Sequence, residues 1–204
     1  MQIKAVIFDL DGTITRPYFD FDNIREEMGL ERNSGPILET MRKMKPSELI
    51  EAEKILYYHE LKAVQESELN DFARETLSRL HSEGIKVGIL TRNTKENAYA
   101  ISQKHDLKFD AVVGREDGPV KPDSFGVIYL CNHFGIEPCE ALMVGDYLFD
   151  LICAKSAGTK AVLLKNNEKV NDFVHEADYC IERIDRIFDI IENENSFMDE
   201  GKLK

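Results

Sequence analysis

The chain reads as an α/β protein, a parallel sheet sandwiched between helices, with a small α-helical insertion after the first strand. Three observations predict this. Short runs rich in Val, Ile, Leu and Phe, at 4–8, 86–90 and 141–144, have the length and composition of strands buried on both faces. Helical patterns alternate with such runs, and strand–helix–strand alternation implies right-handed crossovers within one parallel sheet. About 75 residues separate Asp11 from Lys86, whereas a crossover with its helix needs only about a dozen, so the surplus must be an element of its own.

The first strand is expected at 4–10, where Lys4-Ala-Val-Ile-Phe8 runs into Asp9-Leu10-Asp11-Gly12-Thr13. The insertion, 16–69, carries helical patterns near 22–29, 35–44 and 46–65; in the last, Ile50, Tyr57, Leu61 and Val64 share a stripe, and Pro46 suits a first helical turn. Ala73, Thr76, Leu77 and Leu80 mark a helix that runs to Gly84 and feeds a strand at 86–91. There follow a helix at 95–104, a strand at 109–114, a helix at 123–134, a strand at 141–146, a helix at 148–157, a strand at 160–165, a helix at 168–176 and a strand at 177–181. Within 123–134, Val127, Leu130, Cys131 and Phe134 fall at helical spacing, and Gly135 sits where a left-handed C-cap belongs. The core is thus 1–15 and 70–192; beyond Glu192 the periodicity fades, and 193–204 is expected to be a flexible tail.

Composition narrows the function. With 204 residues, 43% of them hydrophobic, the chain can bury a full α/β core. A net charge of −12 argues against nucleic acid or an anionic membrane as partner, since both need a basic face. No stretch is long enough to span a bilayer, and the first strand begins almost at Met1, leaving no room for a leader, so a cytoplasmic protein is expected. Cys131, Cys139, Cys153 and Cys180 lack metal-type spacing and read as reduced thiols in or near the core. The five histidines show no ligand spacing, and Arg42-Lys43-Lys45 reads as a solvated helix face.

Chemistry gathers at the carboxyl ends of the strands, where open α/β sheets bind ligands. Asp9 and Asp11 close the first strand; Thr91-Arg92-Asn93 closes the second; Val120-Lys121-Pro122-Asp123 opens a helix; Gly145-Asp146 closes a later strand, with Asp150 four residues on. Taken singly, each has a plainer reading. Asp11-Gly12 could be an Asx turn, Lys121-Pro122 a solvated turn, and Asp146 and Asp150 acids that complement a helix dipole. In this order, however, the four segments resemble the signature motifs of the haloacid dehalogenase-like (HAD) hydrolase superfamily, whose core is Rossmann-like and whose members often insert a helical cap after the first motif.

The resemblance implies roles. Asp9 would be the nucleophile that forms an aspartyl-phosphate, and Asp11 the general acid and base. Thr91 and Lys121 would bind the phosphoryl group, with Arg92, Asn93 and Gly12 beside it. Mg²⁺ would be held by Asp9, Asp146 and the backbone carbonyl of Asp11, with Asp150 an outer ligand or the group that orients Lys121. Charge balance agrees: two unit charges about 4 Å apart repel by roughly 4 kcal/mol at an effective dielectric of 20, so four carboxylates and a phosphate dianion need both Lys121 and a divalent ion. The second Asp of the first motif is absent from the dehalogenating members, and the transport ATPases place Lys-Thr-Gly after the first. Asp11-Gly12-Thr13 therefore resembles the phosphoglycolate phosphatase-like enzymes, and implies a phosphatase for a small soluble phosphorylated metabolite. A β-phosphoglucomutase-like mutase is the alternative, and a non-catalytic phosphate-binding or scaffold protein a more distant one. A cap so placed would exclude water and choose the substrate.

Overall fold

A computed structural model describes residues 2–166 and 168–200. The chain divides into two compact units, Met1–Pro17 with Glu68–Lys204, and Tyr18–Ser67.

In the first unit, β1 (Ala5–Phe8), β2 (Lys86–Leu90), β3 (Ala111–Val113), β4 (Ala141–Gly145), β5 (Lys160–Leu164) and β6 (Tyr179–Ile181) form one sheet in the order β3-β2-β1-β4-β5-β6. Every pairing is parallel. β1, at the centre, is wholly buried, and its register sets Phe8 beside Ile89 on one side and Val144 on the other. All four residues are apolar because both faces of the strand are covered. The chain works outward from β1 to β3, then returns to β4 on the opposite flank, so the sheet changes direction between β1 and β4. That is the doubly wound, Rossmann-like arrangement expected, and it opens a crevice at those two carboxyl ends.

The second unit holds α1 (Phe21–Glu27), α2 (Ile37–Met41) and α3 (Pro46–Glu66). The Asp20 carboxylate caps α1 by accepting from the Asp22 and Asn23 amides. Ile24, Ile37, Met41, Ala52 and Leu56 form its buried centre. The expected stripe on α3 is therefore the wrong face: Ile50 (53%), Tyr57 (61%) and Leu61 (39%) are exposed, while Ala52, Leu56, Glu60 and Ala63 are buried. α3 meets α1, with Ala52 and Leu56 in one cluster with Ile24 and with Leu49 and Ile55 packed beside it.

The core helices are α4 (Ala73–Ser82), α5 (Lys95–His105), α6 (Phe125–Phe134), α7 (Leu148–Ala157) and α8 (Ile187–Glu200). α4 buries Ala73, Thr76, Leu77 and Leu80, and α6 ends at Gly135 with φ +68°, both as the pattern predicts. The segment 168–176 is a 3-10 helix rather than an α-helix. The expected tail at 193–204 is corrected up to Glu200, because α8 continues that far; 201–204 lie outside the described residues. Ile187, Phe188, Ile190 and Ile191 anchor α8 in the core, and the Asn195 Oδ1 accepts from the Ile3 amide at 2.8 Å. Cys131 and Cys153 are buried thiols whose pKa values burial pushes up to about 11 and about 12, which leaves them unreactive. Cys180 departs from the expectation: on β6, at the sheet edge, it is exposed. Among the described residues no helix is long and apolar enough to cross a membrane.

Candidate active site

Three strands deliver the site. β1 ends one residue before Asp9, whose amide donates to the Val144 carbonyl at 2.8 Å; β4 ends one before Asp146; β2 ends one before Thr91, whose amide donates to the Val113 carbonyl at 3.0 Å. The chain after Asp9 folds into a tight loop, with the Ile14 and Thr15 amides both donating to the Leu10 carbonyl at 3.0 Å. Gly12 sits in that loop at φ +97°, where any side chain is strained, and a Cβ there would lie 2.3 Å from Asp146 Oδ2. The position Gly12 leaves vacant is where the Asp146 carboxylate packs. Gly145 does the same for Asp150, whose Cγ would lie 2.2 Å from a Cβ.

The centre of the site is a buried ion cluster. Lys121, 3% exposed, donates from Nζ to Asp9 Oδ1 at 2.5 Å and to Asp150 Oδ1 at 2.6 Å. Asp150 Oδ2 accepts from the Tyr147 amide at 3.0 Å, so the same carboxylate caps α7 and grips Lys121. Burial disfavours the lysine's charge, but Asp150 and Asp9 outweigh it and hold the ammonium above its ordinary pKa. Burial pushes Asp9 up to about 6, against the pull of Lys121. Asp146 rises to about 7, first through burial and then through repulsion from Asp9 and Asp150. Oxygens of Asp9, Asp146 and Asp150 lie within 4.8 Å of one another, and Lys121 bonds two of these three carboxylates, Asp9 and Asp150.

A stability prediction follows from Asp146. Its folded-state pKa is raised, so the stability it confers is fully present below the ordinary value of 3.8 and is lost as pH climbs through about 7. Asp146→Asn keeps the neutral form at every pH. In protein stripped of divalent ions, the variant is expected to exceed the parent by on the order of 3 kcal/mol at pH 8 and to converge with it near pH 4. Urea melts at both pH values check this; parallel curves for the two proteins would refute it.

The remaining candidates have distinct placements. Thr91 is buried, and its Oγ1 accepts from the Asn93 amide at 2.9 Å, which leaves the hydroxyl hydrogen for a second acceptor. The Asn93 side chain braces the turn, accepting from the Thr94 amide and from Asn97 Nδ2, both at 2.8 Å. It also donates to Asp11 Oδ2 at 3.4 Å, which joins Asp11 to the second motif. The Asp11 carboxylate stands outside the cluster of three. Arg92 donates to the Lys121 backbone carbonyl and lies over the Phe149 ring, 5.0 Å from its centre, so it braces the Lys121 segment. Arg115, in the neighbouring turn, donates its amide to the Asn93 carbonyl at 3.0 Å.

Two asparagines escaped the sequence reading. Asn70 Nδ2 donates to the carbonyls of Gly12, Thr13 and Thr15 at 3.0, 2.8 and 3.1 Å, holding the Asp9 loop from the segment that precedes α4. Asn166 Nδ2, just past β5, donates to the Gly12 carbonyl at 2.5 Å and to Asp146 Oδ2 at 2.9 Å. Their one sequence signal is position: each borders an element that the pattern locates, and Asn166 follows a strand at the functional edge.

Comparison with known proteins fits this geometry. The profile described as haloacid dehalogenase-like hydrolase matches residues 15–164, a span that takes in Thr91, Lys121, Asp146 and Asp150. An uncharacterized hydrolase of Saccharomyces cerevisiae is 31% identical over 95% of this chain and 93% of its own. The pyrophosphatase PpaX of Bacillus cereus is 29% identical over 96% of this chain and 99% of its own. A crystal structure of a hydrolase from Pseudomonas syringae superposes with a TM-score of 0.79 at 18% identity, covering 93% of this chain and 98% of that one. With the sheet order, the buried lysine and its carboxylates in place, the chain belongs to the haloacid dehalogenase-like hydrolase family and is a hydrolase.

Proposed function

We propose that the protein is a Mg²⁺-dependent phosphatase that hydrolyses a small soluble phosphate monoester through an aspartyl-phosphate at Asp9. The observation that carries this reading is the Lys121 ammonium bonded at once to Asp9 and Asp150, with Asp146 beside them and Asp11 apart. Asp9 is held in place by a cation that a phosphoryl group also needs, and Asp11, which accepts from Asn93, is assigned the proton transfer.

The residues fit a hard divalent cation. Their donors are oxygens, three carboxylates gather round one ammonium, and burial together with repulsion from Asp9 and Asp150 disfavours the charge on Asp146 that a cation would offset. Asp9, Asp146 and the Asp11 carbonyl would hold Mg²⁺, which when bound supplies charge to offset the transferring phosphoryl oxygens. Asp150, with Oδ1 on Lys121 and Oδ2 on the Tyr147 amide, is assigned to orienting the lysine.

In the first half-reaction an Asp9 oxygen attacks phosphorus while the bond to the leaving oxygen breaks, and Asp11 gives that oxygen its proton. In the second, Asp11 takes a proton from water, whose oxygen attacks phosphorus and breaks the bond to Asp9. Inorganic phosphate leaves and Asp11 is again an acid. Thr91 and Lys121 bind the phosphoryl oxygens throughout, and Arg92 and Asn93 brace them.

Phosphate release from a panel of small monoesters and from pyrophosphate, the substrate in the name of the Bacillus cereus relative, tests this. Monoester hydrolysis is expected, falling at least about 100-fold with EDTA and returning with Mg²⁺, whereas Ca²⁺, larger and with more ligands, should restore it poorly. Cleavage of pyrophosphate alone would reassign the substrate, and full activity after metal removal would overturn the metal.

A further inference from the structure

Two side-chain amides converge on one backbone oxygen, the Gly12 carbonyl. Asn70 reaches it at 3.0 Å and Asn166 at 2.5 Å, from segments 96 residues apart in sequence. Asn70 spends its other contacts on the Thr13 and Thr15 carbonyls, whereas Asn166 places the same nitrogen 2.9 Å from Asp146 Oδ2. The same oxygen, Asp146 Oδ2, packs against Gly12 in the space that a Cβ there would take, so the carboxylate and the loop meet where Asn166 bonds both. We infer that Asn166 is a positioning residue of the metal site, fixing the Asp146 carboxylate against the loop that carries Asp9 and Asp11.

Physically, one amide group has two N–H donors, and here the nitrogen serves two acceptors that belong to different strand ends, β1 and β4. The bridge holds Asp146 in a single rotamer before any cation arrives, so binding costs less ordering of the ligand. It also donates to a carboxylate that would coordinate, and such outer partners commonly govern affinity by about 10- to 100-fold. Asn166 does this from β5, the neighbour of β4, a strand that supplies none of the four motifs.

This inference rests on the proposed Mg²⁺ site, and its test reads binding, not turnover. Isothermal titration of MgCl₂ into the metal-free full chain is expected to give a Kd about 10- to 100-fold weaker for Asn166→Ala than for the parent. Asn166→Ser, which keeps a shorter donor, should fall between them. Asn195→Ala, which removes the acceptor of the Ile3 amide and touches none of the site residues, should lower Tm while changing Kd less than about threefold. Circular dichroism identifies any variant that fails to fold, in which case Asn166→Ser carries the comparison. A parent that binds Mg²⁺ while folded Asn166→Ala binds it equally well would overturn the inference alone; a parent that binds no Mg²⁺ would overturn the metal reading and this inference with it.

Discussion

Asp9→Asn is expected to cut turnover of every phosphate ester by at least about 10⁴-fold while leaving the fold intact, the scale on which loss of a covalent nucleophile acts. The substitution removes a charge and almost no volume. Its amide oxygen still accepts from Lys121, which keeps Asp150 as counter-ion at 2.6 Å. A buried carboxylate already raised to about 6 also loses little when it becomes permanently neutral. Steady-state kinetics on an aryl phosphate, with Tm measured alongside, separates the two effects. Parental kcat in a folded Asp9→Asn protein would remove Asp9 from the mechanism.

Lys121→Met should do the reverse, damaging the fold as well as the chemistry. Lys121 is the cation bonded to both Asp9 and Asp150, and all three side chains are buried. Removing one partner from such a group leaves uncompensated charge, at a cost of about 3–5 kcal/mol. The pH dependence has a definite sign. Asp9 is raised even with the lysine beside it, and loses its main lowering influence in the variant, so its neutral form becomes still more favoured. The stability tied to that neutral form is complete below 3.8 and lost as pH rises past about 6. The deficit relative to the parent should therefore be largest near pH 8 and shrink toward pH 5. Urea melts across that range in metal-free buffer provide the check, and a deficit independent of pH would contradict the electrostatic origin.

What the sequence discloses here depends on how local the physics is. β1 and β4 were legible because burial on both faces demands unbroken apolar runs, and the carboxylates because they follow those runs directly. α6 was legible through its spacing and Gly135. α3 was legible as a helix but not in its orientation, since both faces carry apolar residues and the choice is made by contact with α1 and α2. Its buried face is built partly on Ala52 and Ala63, which offer less apolar area than Leu61 or the Tyr57 ring. The polar run after Glu192 hid the end of α8, because Ile187 to Ile191 secure the helix upstream and Asn195 fastens it by a bond to Ile3, across nearly the whole chain. Asn166 and Asn70 were invisible for the same reason. An asparagine beside an element usually makes a turn, and only the adjacency of β5 to β4 aims one of them at Asp146.

The core unit closes on itself before the helical unit begins. Thr15 pairs with Leu69 in an antiparallel bridge, the Arg16 amide donates to the Glu68 carbonyl at 2.9 Å, and the Arg16 side chain reaches Leu69 and Asp71. The outgoing and returning chain are thus clasped together by core residues, as the two ends of a hairpin would be. Whatever lies between the clasped ends is a parenthesis whose length hardly concerns the core, because doubling a flexible closed loop costs only about 0.6 kcal/mol in entropy. A fold with such a clasp offers a port: helical inserts of different size and lining could be exchanged between Pro17 and Glu68 without disturbing the bonds that tie Lys121 to Asp9 and Asp150 within the core unit, so the two units are free to evolve on separate schedules.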